Sequence, residues 1–162
     1  MAKKTSPVYK TVQKTGKADK KARLSPALKS LLERAEQARR EFKYQEALEL
    51  YTQAIDSGKL DPAREFDVRD HRRDIYDRRW DSEDARLADV KEMARLARWL
   101  KDPARQTRAM IEELYTFEPK DKEIAVPKAQ ATLKKARLLK DKSLEAGALL
   151  GLGWAYNLIG NV

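Results

Sequence analysis

The sequence predicts an all-α protein built as an α-α superhelix, a solenoid of stacked helical hairpins. Three observations carry that expectation. Ala97-Arg98-Trp99-Leu100-Lys101-Asp102 returns 39 positions later as Ala136-Arg137-Leu138-Leu139-Lys140-Asp141, five of six residues identical; self-similarity at such a period marks a repeat array. Ala, Leu, Glu, Lys and Arg, all good helix formers, dominate the chain. The few Gly and Pro residues (six of each) fall mostly where apolar stripes of helical period begin or end.

Each element follows from those signals. Ser25-Pro26 supplies an N-cap and a first helical residue whose missing N–H costs nothing, and Leu28, Leu31, Leu32, Ala35 and Ala38 continue at helical spacing. Phe42 and Tyr44 mark a turn before a second stripe, Ala47, Leu48, Tyr51, Ala54 and Ile55, which stops at Gly58. Asp61-Pro62 opens a helix carrying Phe66, Val68, Ile75 and Tyr76; Asp81 with Asp84 reads as a capping-box restart leading to Leu87, Val90, Met93, Leu96 and Leu100. Asp102-Pro103 opens the next, with Met110, Ile111, Leu114 and Phe117, broken at Glu118-Pro119. Asp121 is expected to cap a helix reaching Lys140, which Pro127 should bend or delay. The last helix starts near Asp141 or Ser143 and ends at Gly160.

Charge divides the chain in two. Residues 1–26 hold eight cations against the single acid Asp19, so +7 of the formal +9 sits there, while the remainder sets 27 cations against 25 acids. Residues 1–24 have too few large apolar side chains to offset chain entropy and are expected to form a disordered basic arm ahead of a helical body over 25–162. The absence of cysteine excludes a disulfide framework and a thiolate site, and a lone His71 excludes a multi-histidine metal site. No cofactor is implied, and no phosphate loop or nucleophile–base constellation points to an enzyme. No apolar stretch follows the N-terminal charges, and the longest apolar run, 146–156, is too short to span a bilayer; a cytoplasmic location is the default expectation.

Tyr44-Gln45-Glu46-Ala47-Leu48-Glu49-Leu50-Tyr51-Thr52-Gln53-Ala54-Ile55 resembles the second helix of a tetratricopeptide repeat, and Leu149-Leu150-Gly151-Leu152-Gly153-Trp154-Ala155-Tyr156-Asn157 resembles its first helix. The aromatic slot of the first helix then runs Ala38, Tyr76, Phe117, Tyr156 at steps of 38, 41 and 39, longer than the family's repeat. Arg69, Arg72 and Arg73 fall where that family has small or apolar residues. The resemblance implies about three and a half repeats, truncated at the C-terminus, and a concave groove that holds a peptide or helix. Repeats ending Leu-Lys-Asp with a period near 40 also resemble arrays attached to bacterial signalling regulators, such as nucleotide cyclases and signalling ATPases. On that likeness the chain would be the N-terminal part of a larger regulator.

The groove residues so implied are Arg39, Arg40, Asp67, Asp70, Asp74, Asp77, Tyr115, Trp154 and Asn157. Asp67, Asp70, Asp74 and Asp77 share one helix face; that face either lines a groove favouring a basic peptide or is solvated among Arg69, Arg72, Arg73 and Arg78. Leu32 and Glu36 occupy the positions where members that grip chaperone C-termini carry a Lys/Asn clamp, which argues against that partner. His71 reads as an exposed surface residue, and Trp80 and Trp99 as covers for helix-pair edges. The apolar last helix packs one face on the preceding repeat, continues into further repeats, or self-associates. Gly147 and Gly151 have the spacing of a membrane dimerisation motif inside a helix too short for that role. The basic arm serves as a solubilising linker or as a contact for RNA, ribosomes or anionic lipid, and a nucleic-acid- or ribosome-associated factor is the alternative to a protein-binding scaffold.

Overall fold

A computed structural model describes residues 23–79 and 82–160. Among them every regular element is helical: α1 Pro26–Arg40, α2 Tyr44–Asp56, α3 Pro62–Arg79, α4 Glu83–Leu100, α5 Pro103–Leu114, α6 Lys122–Leu139 and α7 Lys142–Gly160, with a short 3-10 turn at Pro119–Asp121. The basic arm expected over 1–24 lies outside the described residues except for Arg23 and Leu24, and so do Trp80 and Asp81. No helix among the described residues is long and apolar enough to cross a membrane.

Four of the seven described helix starts, those of α1, α3, α5 and α7, are set by side-chain oxygens that satisfy first-turn N–H groups. Ser25 accepts from Leu28 N–H at 3.2 Å, Asp61 from Arg64 N–H at 2.9 Å, Asp102 from Ala104 and Arg105, and Asp141 from Ser143 and Leu144. The repeated hexapeptide is one such joint used twice. In both copies the helix ends at a Leu, the following Lys turns left-handed (φ 54° at Lys101, 56° at Lys140), and the Asp caps the next helix. The alanine that opens each copy, Ala97 or Ala136, is buried; the one position that differs is exposed in both, Trp99 at 62% and Leu138 at 74%. Trp99 therefore does not cover a helix-pair edge as expected.

Two local expectations change, and a third, the Asp81–Asp84 capping box, falls on Asp81 outside the described residues; α4 begins at Glu83 after the N-cap Ser82, with Glu83 and Asp84 in its first turn. Asp121 faces backward: its carboxylate accepts from Glu118 N–H at 3.0 Å and closes the 3-10 turn instead of capping α6. Pro127 stands inside a continuous α6 and does not delay its start.

Consecutive helices pack on one another, and α7 also packs on α5. The core is four apolar clusters, each drawn from helices that neighbour one another in the chain. One joins α1, α2 and α3 around Tyr51 and Ile75; the next joins α3, α4 and α5 around Phe66 and Met93. The last two join α5, α6 and α7 around Ile111 and Leu114. Alanines at 35, 38, 47, 54, 97, 125, 129, 136, 148 and 155 are almost fully buried and let helix axes approach closely. Gly147 and Gly151 do the same for α7 on α5: a Cβ at Gly151 would sit 2.6 Å from the Leu114 side chain. Their spacing serves packing within the chain.

Candidate functional site

The carboxylates on the acidic face of α3 are all engaged by arginines while staying partly exposed, Asp67 most of all at 53% of its side chain. Asp67 accepts from Arg105 at 3.1 Å and Asp70 from Arg108 at 3.2 Å, both on α5. Asp74 pairs with Arg78 at 3.2 Å and lies 3.8 Å from Arg39 of α1, while Asp77 pairs with Arg73 and lies 3.6 Å from Arg86 of α4. Four carboxylates at helical spacing thus tie α3 to α1, α4 and α5.

The arginines of α3 that depart from the family pattern are compensated by two acids that pattern reasoning passed over. Asp89 of α4, with no exposed side-chain surface, accepts from Arg69 at 2.8 Å and Arg72 at 2.9 Å; Arg72 also donates to Thr52 of α2 at 3.1 Å. Glu112 of α5, also buried, faces Arg73 at 3.1 Å and Arg108 at 3.4 Å. Burial pushes the carboxyls of Asp89 and Glu112 upward, against the opposing pull of their guanidinium partners. Asp89 occupies the apolar stripe of α4 beside Val90 and Met93, and an acid at a core position opposite arginines at core positions was the available signal.

One open concave feature lies between α1 and α3, with α2 beneath. This cleft of about 470 Å³ has an apolar floor from Leu24, Leu32, Val68 and the Tyr51 ring. Lys29, Glu33, Arg40, Arg64 and Asp67 stand among the residues around it. Three helices bring Glu36, Tyr51 and His71 together there. The buried Tyr51 hydroxyl donates to Glu36 Oε2 at 2.9 Å and lies 3.3 Å from His71 Nδ1, which is 3.8 Å from the same carboxylate oxygen. The Arg39 guanidinium above all, helped by Tyr51 and Arg40, holds the Glu36 carboxyl down to about 2 against the effect of burial. Burial, then the hydrogen bond to Glu36, pushes the Tyr51 hydroxyl well above the usual phenol range. His71 is therefore a partnered residue of the cleft rather than a plain surface histidine.

Of the residues expected to form a groove, Arg40 and Asp67 line this cleft, and Arg39 braces it through Glu36 at 2.8 Å. Asp70, Asp74 and Asp77 belong to the ion-pair lattice. Tyr115 and Trp154 meet each other elsewhere, ring centroids 6.4 Å apart, where α5 ends against α7, and Asn157 lies on the exposed side of α7. The cleft thus draws on one end of the expected set. Among the described residues no group of three or more His, Asp or Glu side chains is arranged to hold a metal ion. Comparison with known proteins finds no matching family model, no matching curated protein and no matching solved structure.

Proposed function

We propose that this chain is a protein-interaction scaffold of tetratricopeptide type that holds a peptide or short helix in the cleft between α1 and α3. The observation that carries the reading is the cleft itself, an open apolar floor with a fixed polar set, Glu36–Tyr51–His71, at its side. Such a floor takes an apolar anchor residue, while the polar set orients the backbone or a polar neighbour of that anchor. The same groups suit recognition better than proton transfer: a carboxylate held near 2 is a weak base at neutral pH, and a phenol pushed upward keeps its proton. With Asp70, Asp74 and Asp77 already paired inside the fold, the partner's anchor matters more than its net charge.

The test is selection of displayed peptides on the full chain, followed by calorimetry of the selected binders. Leu32→Asp places a charge on the cleft floor and is expected to weaken them at least about tenfold. Trp99→Ser, an exposed control, leaves them unchanged. Binders indifferent to Leu32→Asp sink the reading. The concentration of +7 in residues 1–26 favours a second reading, a nucleic-acid- or ribosome-associated factor acting through the arm. Deleting residues 1–22, which spares Leu24 on the cleft floor, separates the two, because a cleft binder keeps its peptide and an arm-driven binder loses its affinity. For the latter, log affinity for duplex DNA falls against log salt with a slope of about −0.9 per phosphate neutralised.

A further inference from the structure

The outer face of α7 departs from the rest of the surface. From Ala146 to Gly160 there is no charged side chain, in a protein of which 38% is charged. The helix buries Leu144, Ala148, Gly151, Ala155 and Leu158 inward, yet leaves Leu150 70%, Tyr156 53% and Leu149 46% exposed on the other side. At about 100° per residue, Gly153 falls at the centre of that exposed side. A Cβ built there meets nothing within 4 Å. The flanking residues are arranged almost symmetrically about it: Leu150 and Tyr156 at three residues on either side, Leu149 and Asn157 at four, Ala146 and Gly160 at seven.

We propose that α7 is a self-association surface on which a second copy of this chain packs antiparallel, about a two-fold axis through Gly153. In that pairing each residue meets the one equally far on the other side of Gly153. Leu150 then lies against Tyr156 of the second copy, and Ala146 against its Gly160, so large side chains interleave where there is room and small ones meet at the ends. Gly153 faces itself, where the axes come closest. The absence of charge matters because a two-fold axis sets like against like. Beyond residue 26 the chain sets 27 cations against 25 acids and is nearly neutral, and this face carries no charge at all, so its self-pairing opposes no like charges. The antiparallel helix dipoles add attraction, and Lys142, its side chain 90% exposed at the start of α7, comes beside the negative C-terminal end of the second copy's α7. One helix face is smaller than the roughly 1,200 Å² of a standard stable interface, so the association is in the micromolar range. The proposal is independent of the cleft, which lies at the other end of the helix order.

The experiment is sedimentation velocity of the full chain from about 1 to about 300 µM, bracketing a micromolar dissociation constant. The expected result is a mass that climbs toward twice the monomer, with Leu150→Glu weakening the association at least about tenfold. Because the chain has no cysteine, Gly153→Cys is a clean second reporter. On mild oxidation it should form a disulfide-linked dimer. Ala146→Cys should not, since its two copies stand about 21 Å apart along the pair at 1.5 Å per residue. A chain that stays monomeric throughout leaves this face to some other occupant and overturns the proposal. Association indifferent to Leu150→Glu, or Ala146→Cys cross-linking as readily as Gly153→Cys, overturns it as well.

Discussion

Lys101 and Lys140 carry a Cβ in a backbone region where it crowds the following carbonyl, at about 1–2 kcal/mol for an L residue. Gly at either position removes that crowding, offset in part by a more flexible unfolded chain. Lys101→Gly and Lys140→Gly should each raise stability by about 0.5–1 kcal/mol, read as a higher urea midpoint at unchanged slope. Asp89 acts in the opposite direction. Asp89→Ala leaves Arg69 and Arg72 without their shared buried carboxylate and should cost about 3 kcal/mol, toward the low end for a broken buried pair because both arginines keep some solvent contact. Asp89→Leu combined with Arg72→Met should recover much of that loss in the same measurement. Glu36 contributes to the acid response. Its folded carboxyl titrates at about 2, below the ordinary 4.5, so its contribution is complete above about pH 4.5 and disappears as pH falls toward 2. The carboxyl ¹³C shift of Glu36 should show the low midpoint, and Glu36→Gln should flatten the acid limb of stability over that interval.

Helices were legible wherever their signals are local. Ser25, Asp61, Asp102 and Asp141 bond to N–H groups two or three residues on, so the sequence neighbourhood contains both partners. Asp121 has the same local look, but the Glu118 amide lay within its reach and took the bond. Pro127 is expected to bend α6 or delay its start, yet the helix already begins at Lys122, and one lost ladder bond is tolerated where Ala125 and Ala129 on either side are fully buried. The ion-pair lattice was illegible for a different reason: Arg73 and Glu112 lie far apart in the chain and are joined only when α3 and α5 come together. The cleft was legible in part, through Arg40 and Asp67, because a family likeness supplies a groove side; it could not supply the Glu36–Tyr51–His71 contact among three helices. The α5–α7 contact has its own test. Gly151→Val pushes branched carbon into the fully buried Leu114 side chain and should cost about 1–3 kcal/mol, seen as a lower thermal midpoint.

Across the molecule, cohesion comes from two materials. Small apolar clusters hold each helix to its chain neighbours, while arginine–carboxylate pairs reach from α1 to α3 and from α3 to α5. The partly exposed pairs are screened by salt and the buried ones much less, so added salt should trim stability only modestly. The joints at Lys101 and Lys140 bear on engineering. With one residue of turn and an immediate cap, neither joint has spare length. A reporter peptide spliced after Lys101 should therefore part α4 from α5, while Asp102 stays with the helix it caps. The link over 57–61 is longer and exposed at Ser57, Gly58 and Lys59, and a fluorescent tag or affinity handle grafted between Gly58 and Lys59 should be carried without loss of the folded state.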